Sequence, residues 1–185
     1  ATLDEPRTMS THFDPVNHTK GRFIYVKDGE SIWAPTQWPL SNKVDEFECI
    51  HSPGWTGFKS SKDNIEVCSK HFVPSSGRFE FWIVEVTNKG PEKKSIEIFP
   101  QVELLLYPDY KVHHDYYSWF TNSSFKDNCI NVGKDEEGAV HGFVYNFKDA
   151  DSWQANLQSF WGDGSFMLPE EVLNSKLGEN VSGGD

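Results

Sequence analysis

Residues 78–88, "RFEFWIVEVTN", alternate strictly, with Phe79, Phe81 and Ile83 in one register and Trp82, Val84 and Val86 in the other. Successive side chains of a strand point to opposite faces, so this run predicts a strand that is apolar on both sides and reads as a central one. The same period recurs along the chain. Residues 22–34, "RFIYVKDGESIWA", predict a hairpin of two β-rich runs around an Asp28-Gly29 turn. In "NIEVCSKHFVP", Ile65, Val67 and Val73 share one register and Cys68 and Phe72 the other, which predicts apolar surroundings on both faces near the end of that strand. After the turn "KGPE", Ile96, Ile98, Val102, Leu104 and Leu106 align at period two, and Pro100 within this run predicts a bulge or a sheet edge.

Two more strands are predicted at 116–125 and 139–147, separated by the acidic turn "GKDEEG". The alternation then fades. Trp153, Leu157, Phe160 and Trp161 fall near helical spacing, and "LPEEVLNSKLG" offers Pro169 at a first helical position with Gly178 as a stop. A chain of 185 residues with seven Trp, six Tyr and fourteen Phe has the ring-rich apolar content that suits pleated sheets, and its length fits one all-β domain. The reading is an N-terminal extension over 1–20, a β-sandwich over 21–178, and a linker or cut end over 179–185.

A formal net charge of −11 opposes nucleic acid and anionic membrane as partners, because both need a positive face. No apolar run approaches the roughly 20 residues that span a bilayer, and "ATLDEPRTMS" has neither the basic nor the apolar part of a signal peptide. Cys49, Cys68 and Cys129 form no CxxC pair, and an odd count argues against a disulfide framework, so a cytoplasmic, reducing compartment is favoured. Sequons at Asn17, Asn122 and Asn180 are compatible with secretion and carry little weight.

Chemistry is harder to locate. His113, His114 and Asp115 form the densest group of metal-capable side chains, yet neighbours on a strand point to opposite faces, so no metal site is expected there. Walker, GxGxxG, GxSxG and HExxH patterns are all absent from the sequence. Glycoside chemistry needs one or two carboxyl groups about 5 to 9.5 Å apart. With 28 acidic residues, many in turns such as Asp135, Glu136 and Glu137, spacing selects none of them. The aromatics say more. A tryptophan or tyrosine beside a polar side chain can stack on the apolar face of a sugar and hydrogen-bond its hydroxyls, and Trp33, Trp38, Trp55, Tyr116, Tyr117 and Trp119 all have such neighbours. Core packing is the competing role for each. Trp33 is expected to be buried between sheets, and Trp38, flanked by Pro35 and Pro39, to lie at an end of the sandwich.

Four blocks in order carry a resemblance: "GRFIYVKDGESIWAPTQWPL", "FECIHSPGWTGF", "NIEVCSKHFVP" and "IVEVTNKGPEKKSIEIFPQVEL". Over about residues 20–180 the chain resembles the N-terminal domain of glycoside hydrolase family 94, formerly glycosyltransferase family 36. That family includes cellobiose, cellodextrin and chitobiose phosphorylases and modules of cyclic β-1,2-glucan synthases. The resemblance implies an all-β, two-sheet antiparallel β-supersandwich of the galactose-mutarotase-like kind, with short helices near the C-terminus. It also implies a parent enzyme whose (α/α)6 barrel performs inverting phosphorolysis of a β-linked oligosaccharide, with inorganic phosphate as co-substrate and no cofactor. The catalytic acid would lie on the barrel, so this segment is expected to be inactive alone, and its roles would be to support the barrel, a homodimer and the acceptor-sugar rim.

The carbohydrate-contact candidates are Trp38, Trp55, Tyr117 and Trp119, from their rings beside polar neighbours, with His51 and His114, which the resemblance adds. The stretch "HHDYYSWFTNSSF" lacks the Gln-Arg pair of cellobiose phosphorylases and is closer to the β-1,2-glucan enzymes, with His114, Tyr117 and Phe120 at matching places. Gln37-Trp38-Pro39 stands where the family has Trp-Gln-Pro, and Ile50 where it has arginine, which exchanges a bidentate donor for apolar surface. Asn156 and Leu157 replace an Asp-Arg pair before Phe160, Trp161 and Gly162. The alternative reading is a free-standing carbohydrate-binding or interaction module with the same fold. A supporting domain should expose one broad apolar patch, and a free-standing binder a polar surface with a compact aromatic platform.

Overall fold

The hairpin after Gly21 shows how the sheets begin. Arg22–Asp28 (β5) runs antiparallel to Ser31–Trp33 (β6), with Val26 opposite Trp33 and Asp28 opposite Ser31. Gly29, first of the two loop residues, has φ +58°, a conformation glycine adopts without the Cβ penalty. The hairpin is the one expected from its two β-rich runs, with the loop at Gly29-Glu30, one position after the Asp28-Gly29 turn read from the sequence. The computed structural model describes residues 2–4, 7–8, 12–14, 18–40, 43–104, 121–133, 141–165 and 167–182. The chain divides into two compact units, one of residues 23–101 and one of residues 1–22 with 102–185.

In the 23–101 unit, β5 and β6 join Ile96–Val102 (β11) in a three-stranded sheet of order β11-β5-β6. Glu46–Ser52 (β7), Trp55–Lys62 (β8), Ile65–Phe72 (β9) and Phe81–Asn88 (β10) form a four-stranded antiparallel meander. The β8–β9 turn is Asp63-Asn64 with φ of 51° and 65°, the two positive values of a I′ hairpin. The core cluster takes Ile24, Val26 and Trp33 from the first sheet and Ile65 and Val67 from the second, with Val44, and Trp82, Val84, Val86 and Ile96 packed against it. Lys94 spans the turns, donating to Asp28 Oδ2 at 2.6 Å and to the Asp63 carbonyl at 3.0 Å.

Two expectations need correction here. Among the described residues β10 is an edge strand of its sheet, not a central one, and Ile83 on its second face is 47% exposed. Apolar residues on both faces do not by themselves fix the strand's place in the sheet. In β11, Ile96 packs on the core, but Ile98 is exposed while Phe99 and Gln101 are buried. The reason is polar: the Tyr25 hydroxyl donates to Gln101 Oε1 at 3.0 Å, which satisfies both inside the fold, and burial pushes the Tyr25 phenol above its ordinary range. Pro100 does sit on a strand at the edge of its sheet among the described residues. Val73 lies beyond the end of β9 and is exposed.

The other unit contains short hairpins, Thr2–Asp4 (β1) with Arg7–Thr8 (β2) and His12–Asp14 (β3) with His18–Lys20 (β4). It also contains a meander of Asn122–Lys126 (β12), Cys129–Gly133 (β13) and Gly142–Tyr145 (β14). β13 intervenes between the two strands expected here. The turn before it, Asp127-Asn128, repeats the paired positive φ of a I′ hairpin. Phe125 stacks on Trp153 with centroids 4.5 Å apart.

Leu157–Trp161 (α1) is capped by Asn156, whose side chain accepts from Ser159 N, and closes at Gly162 with φ +54°. Glu170–Leu173 (α2) is a single turn with Pro169 as its N-cap, one position before the place expected. It ends at Asn174, four residues before Gly178, because Ser175 already has φ +53°. The Gly178 N–H instead donates to Glu171 Oε1 at 3.0 Å.

Candidate functional site

Cross-strand register builds the densest polar and aromatic group. His51 of β7 lies opposite Thr56 of β8, Thr56 opposite His71 of β9, and His71 opposite Trp82 of β10, so the four form one row on the face that also carries Val67 and Val86. His51 Nδ1 is 3.1 Å from Thr56 Oγ1 and His51 Nε2 is 3.4 Å from Cys49 Sγ. His71 Nε2 is 3.2 Å from Ser69 Oγ, and its ring lies 5.2 Å from Trp82 and 5.8 Å from Phe58. Trp82 Nε1 donates to Glu80 Oε1 at 2.6 Å. Of the four only His51 is exposed, and Trp82 packs on the core, so the row meets water at its His51 end, where the imidazole can bond a sugar hydroxyl.

Of the residues singled out from sequence, His51 is exposed and belongs to this row. Trp55 does not. It lies opposite Ser52 and Phe72, on the reverse face of the same hairpin, with Lys70 Nζ 4.5 Å from its ring centroid. A Cβ on Gly57 would sit 2.8 Å from Trp55 Cζ3, so glycine is what lets the indole lie close to the sheet. Trp38 occupies a loop whose flanking Pro35 and Pro39 are buried, while its ring stays 42% exposed. Thr36 Oγ1 fastens the loop by donating to the Trp38 carbonyl at 2.6 Å. His114, Tyr117 and Trp119 lie outside the described residues, as do Tyr116, His113 and Asp115. Thr56, His71 and Trp82 were not singled out, because only the register of neighbouring strands shows that they share a row with His51.

Two acidic residues at the far end of this sheet, Glu66 and Asp45, are tied to structure. A surface hollow of about 290 Å³ is lined by Asp45, Glu46, Ser61, Asn64, Glu66 and Lys89, and an adjoining one of about 340 Å³ by Glu46, Phe47, Glu48, Lys59 and Ser61. Glu66 Oε2 accepts from Lys89 at 2.5 Å and from Lys59 at 3.0 Å, contacts that hold its carboxyl below the usual range, Lys89 contributing most. A general acid needs the opposite shift. Asp45 Oδ2 accepts the backbone N–H of Asp63 at 3.0 Å, a turn-fixing role. Among the described residues no group of three or more His, Cys, Asp or Glu is placed to hold a metal ion. No described helix is long and apolar enough to cross a membrane.

The Glu66 pairing has a testable sign. Its folded pKa is lowered, so its stabilisation is present above the ordinary value of 4.5 and is lost as pH falls through the folded value. The urea midpoint should therefore drop less between pH 7 and pH 3 in Glu66→Gln than in the unsubstituted chain. Equal drops would show that the ion pair does not couple to folding.

Comparison with known proteins fits this architecture to a family. The family model described as glycosyl hydrolase 94, supersandwich domain, matches residues 3–185. This chain belongs to that family. A 3-O-beta-D-glucopyranosyl-beta-D-glucuronide phosphorylase of Paenibacillus borealis is 32% identical over 180 residues, which are 90% of this chain and 23% of that protein. A solabiose phosphorylase of the same organism is 24% identical over 160 residues, 71% of this chain and 20% of that protein. The chain thus spans about a quarter or less of the relatives it matches. Its antiparallel sheets, with only short helices among the described residues, are those of an all-β supersandwich domain of glycosyl hydrolase 94.

Proposed function

We propose that this chain is the non-catalytic sheet domain of a glycoside phosphorylase that cleaves a β-linked glucoside with inorganic phosphate. The match to a supersandwich domain over residues 3–185, with phosphorylases among its relatives, carries this reading. The catalytic acid and the phosphate ligands then belong to an (α/α)6 barrel elsewhere in the parent polypeptide. This domain supports that barrel, takes part in a homodimer and contributes to the acceptor-sugar rim.

The rim contribution rests on groups that can hold a sugar without reacting with it. The exposed Trp38 ring offers a stacking face, and the exposed His51 imidazole offers a hydrogen-bond partner. A domain in contact with acceptor but not with the breaking bond affects binding before it affects chemistry. In the polypeptide encoded by the whole open reading frame, Trp38→Ala should raise the acceptor KM by about three- to tenfold, equivalent to about 1 kcal/mol of lost stacking, with kcat within a factor of two. Its urea midpoint should stay unchanged. An unchanged KM removes Trp38 from the rim, and an open reading frame whose product has no phosphorolytic activity on any β-glucoside removes the parent reading.

A further inference from the structure

The reverse face of the four-stranded sheet, opposite the His51 row, is divided along its length. At one end lie Glu46, Glu48, Lys59, Glu66 and Glu85, the mixture of charges expected where an antiparallel sheet faces water. At the other end the register brings Ser52, Trp55, Phe72 and Phe81 into one row, and Ile50, Gly57, Lys70 and Ile83 into the next. Phe81 packs against Phe72 with centroids 5.2 Å apart and against Phe79 at 5.3 Å, so the rings form one continuous surface. Yet Ile50 is 39% exposed, Ile83 47% and Phe79 37%. Water has not been excluded from this end, although its side chains are those of an interior.

We infer that this apolar end of the sheet, centred on Ile83 and Ile50, is the docking surface for another part of the same longer polypeptide. The inference rests on the reading of the chain as one domain of a larger enzyme and names the face through which that domain is held. The occupant is argued from length, because the matched stretch makes up only 23% and 20% of two relatives, whose remaining chain is covalently tethered to it. A tethered surface is present at an effective concentration in the millimolar range, above that of a second copy in dilute solution. Lys70, the one cation within the two apolar rows, already lies over Trp55, so the occupant is an apolar surface that brings an acidic or carbonyl oxygen toward that ammonium.

The test is a labelling comparison. Cys49, Cys68 and Cys129 are replaced by serine, and Ile83→Cys is made in this background, with Glu92→Cys, on an exposed turn, as the control. Maleimide labelling rates are measured in the 185-residue chain and in the polypeptide encoded by the whole open reading frame. The expected result is labelling of Ile83→Cys slowed by about tenfold or more in the longer polypeptide at every protein concentration, with Glu92→Cys unchanged, since an enclosed site reacts only after local opening. Equal rates at Ile83→Cys overturn the inference. Protection that grows with the concentration of the 185-residue chain also overturns it, in favour of a second copy as occupant, and so does an open reading frame ending at Asp185. Phosphorolysis by the longer polypeptide is assayed in the same preparations. An active enzyme with unprotected Ile83→Cys sinks the docking face alone, whereas a protected site in an inactive protein sinks the enzymatic reading alone.

Discussion

Replacing Trp33 with alanine is expected to lower the unfolding free energy by about 3–5 kcal/mol, a large part of what a small unit can lose. Trp33 is 1% exposed at the meeting of the two sheets, packed with Ile24, Val26, Ile65 and Val67, and an alanine there leaves a void that strand backbones cannot close. Trp33→Phe should cost much less. The indole nitrogen is buried with no hydrogen-bond partner among the described residues, so phenylalanine removes an orphaned donor together with part of the volume. Urea denaturation followed by circular dichroism measures both. A loss below about 1 kcal/mol for Trp33→Ala would mean that the sheets do not pack through this ring.

The second large effect tests the alternation itself. Val67 is fully buried and faces Ser60 and Val86 across its neighbours. Val67→Asp buries a carboxylate in that interface, a penalty of more than about 4 kcal/mol that should leave the chain unfolded or aggregated at 25 °C. Lys70→Asp, three positions along the same strand on the exposed face, should keep the fold and lose only the contact with Trp55, about 1 kcal/mol or less. The pair differs in strand parity, so two folded variants would contradict the register of β9. The readout is the dispersion of amide resonances, which separates a folded chain from a collapsed one.

Strands whose two registers differ in polarity, or which are apolar throughout, were legible in the sequence. The 22–34 hairpin and the inward face of 78–88 needed nothing beyond local pattern. The β7–β8 hairpin escaped notice because its inward positions mix Phe47, Cys49, His51, Thr56, Phe58 and Ser60, and only Ser60 is fully buried. β13 is five residues long and offers too short a pattern to separate from its flanking turns.

The site was less legible than the fold for a physical reason. His51 and Trp55 could be picked out as an imidazole and an indole beside polar neighbours. Whether they shared a face depended on strand ends and turn length, and the two-residue Pro53-Gly54 connection sends them to opposite faces. Joining His51 to His71 and Trp82 requires the pairing of four strands, and that information is non-local. The isoleucine at position 50, read from sequence as new apolar surface, does lie on the exposed apolar face.

The central claim is that this chain is a sheet body serving phosphorolysis carried out elsewhere in its parent. Its most direct test is to incubate the purified 185-residue chain with β-linked glucosyl disaccharides and inorganic phosphate and to measure sugar 1-phosphate. The account predicts no release above the protein-free blank, even at high protein concentration and long times. Steady release that a single Asp or Glu substitution abolishes, in a variant that remains folded, would contradict it.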